Sequence, residues 1–159
     1  MVKYEPGLKI AGLFVVISFT LFVASLTQDG FYIAGDNPRA WSSCFGLLLV
    51  GWMAVLDGVW AWLANPALAL TWLLMCIRRT RVIALGFGFA ALGLALSFLR
   101  HPQILSDEGG GHSRITGYGV GYWLWIASIT MTVGGCLAAI VFSRGTTNGP
   151  GNQQRESPT

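Results

Sequence analysis

His101, Asp107, Glu108 and His112 are the one set of residues in this chain that gathers acid-base or metal-ligating chemistry within a short stretch. They fall in the polar segment HPQILSDEGGGHSRIT, residues 101–116. Their spacing matches neither the ligand patterns of zinc sites nor a calcium loop, so a solvated loop is expected and no metal or cofactor is assigned to it. Ser128, Thr130 and Thr132 carry hydroxyls on a long apolar stretch that offers no histidine or carboxylate to activate them. Bonding to the helix backbone or across helices is the expectation there, and the chain is read as a non-enzyme with no catalytic residues.

The elements that hold these groups are apolar runs. The 159 residues are 53% hydrophobic and 11% charged, with mean hydropathy +0.58, against roughly 25% charged in soluble domains. A net charge of +3 invites a nucleic-acid reading. The basic residues, however, stand singly or in threes beside apolar runs, the pattern of topology charges, and no nucleic acid is expected as a partner. The fold class read from this pattern is an all-α membrane protein. Residues 1–142 form one bundle of four transmembrane helices, at about 8–27, 59–77, 82–99 and 117–142, and residues 143–159 form a disordered cytoplasmic tail. The first run lacks a clear signal-peptide cleavage site and is read as a retained helix. Three cysteines, Cys44, Cys76 and Cys136, give no disulfide framework.

The stretch 41–77 needs a break, because its 37 residues as one helix would run roughly 55 Å, nearly twice the hydrocarbon thickness. Asp57-Gly58 is the expected break. Asp57 then serves as N-cap of helix 59–77, Ser42 or Ser43 caps a short apolar helix at about 44–56, interfacial or re-entrant, and Pro66 kinks the second crossing. The alternative, a crossing from 42 to 64, would sink Asp57 into the bilayer at considerable cost. With the preferred division, Lys3, Lys9, Arg78, Arg79, Arg81, Arg144 and Arg155 lie on one side and Arg39, Arg100 and Arg114 on the other. By the positive-inside rule both termini are then cytoplasmic.

Three strings stand out inside the crossings. Ala84, Gly86, Gly88, Ala90 and Gly93 give small-xxx-small spacings that let backbones approach, either within the monomer or as a partner face. Asn65-Pro66 is a polar spot, read as bundle glue using the carbonyl that Pro66 frees, or as part of a ligand cavity. Trp60, Trp62, Tyr118, Tyr122, Trp123 and Trp125 suit an interfacial aromatic belt, the last four following a flexible glycine-rich start at Gly117, Gly119 and Gly121. The Gly-Tyr-Gly string lacks the preceding pore helix of a potassium filter.

The strings WLANP (62–66), DEGG (107–110) and GYGVGYWLW (117–125) together resemble a group of small uncharacterised bacterial inner-membrane proteins, over roughly residues 51–135. The resemblance implies a bacterial inner-membrane location and brings no activity. The leading functional expectation is a non-enzymatic accessory or interaction subunit, in contact with the bilayer and with another membrane protein or a second copy of itself. The alternatives are a membrane immunity or lysis-modulating protein, and an oligomeric small-solute channel or transporter with Asn65, Thr71, Ser128 and Thr132 towards a pore.

Overall fold

The computed structural model describes residues 6–34, 42–105 and 111–145. Helix α1 (Pro6–Leu26) leads into strand β1 (Phe31–Ile33). A short helix α2 (Cys44–Val50) continues as a 3-10 turn, Gly51–Val55. A second 3-10 turn, Trp60–Leu63, then opens α3 (Ala64–Met75). After the turn Arg78–Thr80 come α4 (Arg81–Ser97), β2 (Gln103–Leu105), β3 (His112–Tyr118) and α5 (Val120–Gly145). Three helical stretches, Gly7–Leu26, Arg78–Arg100 and Val120–Ser143, are long and apolar enough to cross a membrane, which is consistent with a membrane protein. A fourth follows only if the bent pair Cys44–Val55 and Trp60–Met75 counts as one span.

The helical class holds, with an addition that the sequence reading treated as loop. β1, β3 and β2 form a three-stranded antiparallel sheet in that order. Phe31 faces Tyr118 and Ile33 faces Ile115, while Gln103 to Leu105 runs against Arg114 to His112. Two of the strands are three residues long, too short to show period-two alternation, although β3 alternates in burial along its length. The sheet gives hydrogen-bond partners to backbone that leaves the helices at one end of the bundle, where unpaired N–H and C=O groups would be costly.

α1 packs chiefly on α5, α3 on α4, and α4 on α5. The α1–α5 contact is close because Gly135 has no side chain: a Cβ there would lie 2.7 Å from Phe14 Cγ and 2.8 Å from Met75 Cε. The core divides into three levels. Phe31, Val59, Phe98, Ile104 and Tyr122 fill the sheet end, Leu68, Ala91, Ala95 and Ile129 the middle, and Ala11, Met75, Ala84, Cys136 and Ala139 the far end. The start of α1, the start of α4 and the end of α5 therefore share one end of the bundle, opposite the sheet.

The break in 41–77 lies at Asp57-Gly58, where Gly58 takes φ +81, a left-handed conformation suited to glycine. The two limbs are bent by 118°. Trp62 holds them together by donating its Nε1–H to the Leu48 carbonyl at 3.0 Å, over Gly51, where a Cβ would come within 2.8 Å of the indole. Ser43 caps α2 by accepting from the Gly46 N–H at 3.1 Å. Asp57 is not an N-cap: Val59 occupies that position without a side-chain bond, and the Asp57 carboxylate instead lies 3.5 Å from His112 Nε2, both about half exposed. Pro66 falls in the first turn of α3, directly after the 3-10 turn Trp60–Leu63, rather than in the interior of a crossing.

The start of the last helix also differs from the expected flexible glycine-rich lead-in. Gly117 and Tyr118 belong to β3, and α5 begins at Val120. The Gly119 N–H donates to the Gly30 carbonyl at 2.9 Å and the Gly121 N–H to the Asp29 carbonyl at 3.0 Å. A Cβ on Gly119 would run into the Asp29 carbonyl, and one on Gly121 would lie 2.8 Å from the same oxygen. These glycines are spaced for backbone approach, so the segment is pinned.

Candidate functional site

The bent pair, the top of α1, the sheet and the start of α5 surround an almost wholly apolar cavity of about 100 Å³, open over part of its boundary. Phe22 and Ser25 reach it from α1, and Phe31 from β1. The limbs of the bent pair supply Cys44, Leu47, Ala54, Trp62 and Asn65, and α5 supplies Tyr122 and Trp125. No charged side chain lines it among the described residues.

Its few polar groups are mostly committed elsewhere. Ser25 donates to the Phe22 carbonyl at 2.6 Å, Tyr122 to the Ala95 carbonyl at 3.0 Å, and Trp62 to Leu48 as above. Trp125 Nε1–H donates to Asn65 Oδ1 at 3.0 Å, joining α3 to α5. The Asn65 partner is thus an indole sixty positions along the chain, whereas the carbonyl freed by Pro66 is the local candidate. On the sheet side Phe98 contacts Phe31, Tyr118 and Tyr122, each with ring centroids 5.9 Å apart. Burial pushes the Tyr118 phenol above its ordinary pKa.

The other predicted positions separate by face. Ala84 and Gly88 turn inward in line with Ala91 and Ala95, whereas Gly86, Ala90 and Gly93 face outward. Of the aromatic set, Trp60 and Trp123 are 54% and 52% exposed, as interfacial anchors would be. Tyr122 is buried, and Trp62, Tyr118 and Trp125 are partly covered. Asp107 and Glu108 lie outside the described residues, so of that loop set only His101 and His112 are placed. The described residues hold no cluster of three metal-ligating side chains.

Two polar arrangements were not anticipated as such. In mid-bundle, Ser18 Oγ donates to the Ser128 carbonyl at 2.8 Å and lies 2.7 Å from Thr132 Oγ1, while Trp72 Nε1–H is shared between Ser18 and Thr132 at 3.0 Å each. Thr71 donates to the Ala67 carbonyl at 2.8 Å. Thr71, Ser128 and Thr132 are fully buried and line no part of the cavity. At the far end Arg81, one of the basic residues counted from the sequence as topology charges, is 2% exposed. Its Nε and Nη1 reach the Met75 and Ala139 carbonyls at 3.4 Å each, and Nη1 also bonds the Ser143 hydroxyl. The rule that polar groups in an apolar span seek each other points to the Ser18 cluster from sequence. Only tertiary packing reveals the burial of Arg81.

No protein-family model matches the chain, and neither the curated proteins nor the solved structures give a match.

Proposed function

We propose that the protein is a non-enzymatic integral membrane subunit that associates through the outer face of α4 with another membrane protein or a second copy of itself. The observation that carries this reading is the outward line Gly86, Ala90, Gly93. A Cβ added at Gly86 or Gly93 would meet nothing within 4 Å, so the fold itself makes no use of their smallness. Ile83 and Phe89 beside them are 55% and 53% exposed. A glycine-alanine groove between larger apolar side chains is the form that close helix pairing takes in a bilayer, where dispersion and backbone proximity drive association.

A bacterial inner-membrane setting with both termini cytoplasmic fits the same reading. The start of α1 and the end of α5 lie beside the turn that carries Arg78 and Arg79, and among the described residues Lys9, Arg78, Arg79, Arg81 and Arg144 belong to that end against Arg100 and Arg114 at the sheet end. The non-enzymatic part is supported by the engagement of Ser128 and Thr132 with Ser18 and Trp72. The test is crosslinking in native membranes. Gly86→Ile and Ala90→Ile should leave the purified protein as stable as wild type yet abolish its crosslinked species. Wild-type protein that stays monomeric and uncrosslinked there would overturn the proposal.

A further inference from the structure

We infer that the cavity at the sheet end is a binding site for an uncharged, largely apolar molecule that carries a carbonyl oxygen, with the Asn65 side-chain amide as the donor that recognises it. The inference stands apart from the association face on α4, which lies on the outside of the bundle.

The chemistry of Trp125 fixes which way the Asn65 amide points. An indole N–H only donates, so the atom of Asn65 that meets it must be the oxygen. That anchors the amide plane and leaves the NH₂ on the other branch, with no acceptor for it among the described residues. Of the other side-chain donors at the cavity wall, Ser25 is spent on the Phe22 carbonyl, Trp62 on Leu48 and Tyr122 on Ala95, and the Cys44 thiol is only a weak donor. A partly buried amide with two free N–H groups is a cost that an acceptor oxygen would remove. Without a basic side chain in the lining an anionic group would go unpaired, and without an acidic one so would a cation. A neutral oxygen on an apolar body is what the wall accommodates. The volume, about 100 Å³, approaches that of engineered cavities of ~150 Å³ that take up benzene. A ring, or the start of an acyl chain next to its ester, is the matching size.

A carbonyl of this kind has two sources, the ester of a membrane lipid or a free small molecule, and one experiment separates them. The full chain is placed in nanodiscs of ether-linked phosphatidylcholine, which has no ester carbonyl. It is titrated by fluorine NMR with 4-fluoroacetophenone and with its carbonyl-free isostere 1-fluoro-4-isopropylbenzene. The ketone should bind about fivefold more tightly, the worth of one neutral hydrogen bond. Asn65→Leu should bring the ratio to about one, and Ala54→Leu, which fills the cavity and leaves the amide intact, should weaken both probes. Ala54→Leu alone carries the test if the Asn65 variant does not fold. Equal affinities in the wild type, an unchanged ratio in Asn65→Leu, undiminished binding in Ala54→Leu, or no binding of either probe would each overturn the inference. Repeating the titration in ester-linked discs identifies the source. Weaker ketone binding there means that a lipid ester competes for the site, and equal binding means that the site takes a free small molecule.

Discussion

At the sheet end of this bundle, backbone meets backbone. Gly119 and Gly121 lie against the Asp29 and Gly30 carbonyls, three short strands pair, and a cavity remains where the bent pair leans away. At the opposite end the helices close around one charged side chain, Arg81, which binds the Met75 and Ala139 carbonyls and the Ser143 hydroxyl. Both ends face the same problem, since the last carbonyls and first N–H groups of each helix need partners. The sheet end solves it with irregular chain, which requires glycines and leaves space. The Arg81 end solves it with a long flexible donor group held against the carbonyls and hydroxyl of its neighbours.

The contrast can be broken from either side. The largest effect is expected at Gly121→Val: its Cβ would stand 2.8 Å from the Asp29 carbonyl and 3.0 Å from the Ser25 carbonyl. A backbone clash cannot relax as a side chain can, so a loss of more than ~3 kcal/mol should appear in denaturant unfolding of the detergent-solubilised protein. Arg81→Ala should cost about 2 kcal/mol in the same assay, because the Met75 and Ala139 carbonyls and the Ser143 hydroxyl each lose one donor and a void opens. If the two effects came out reversed, the far end rather than the sheet end would be the more constrained.

Ser18→Ala, midway between the ends, should cost about 0.6 kcal/mol. Hydrogen bonds between membrane helices are modest in mutant cycles, and Thr132 can still accept from Trp72. The smallest effect belongs to Asp57→Asn, whose pairing with His112 is half exposed. A change below ~0.5 kcal/mol is expected, and a larger one would mean that the bent pair is tied to β3 by more than its exposure suggests.

These positions differ in how far the sequence alone exposes them. The long helices are legible because charge-free apolar length is a property of a single segment, and Gly58 marks its break because the left-handed turn there is a local demand. The strands β1 and β2 are not legible, since three residues carry no period and their pairing is made by β3 more than six residues away. Gly119 and Gly121 look like a flexible lead-in until Asp29 is brought against them. Asn65 attracts notice as an amide in an apolar run, but its partner Trp125 reads as an interfacial aromatic because nothing local distinguishes it from Trp123. Arg81 shows the same limit: it is one arginine among three in a turn, and only the packing of α1 against α5 selects it for burial.

The bent pair has a consequence for the surrounding lipid. Because the chain folds back at Gly58, the limb that runs the length of the bundle beside α4 consists of the 4-residue turn and the 12 residues of α3, about 26 Å in all. That is less than the ~30 Å of an average hydrocarbon core. In the membrane setting proposed above, with this limb as a crossing, the bilayer on this flank would thin, or headgroups would dip towards Trp60, at a fraction of a kcal/mol per ångström of mismatch. A protein so placed would favour the thinner patches of its membrane, and neighbours that share the defect would be drawn to the same flank without touching a single specific residue.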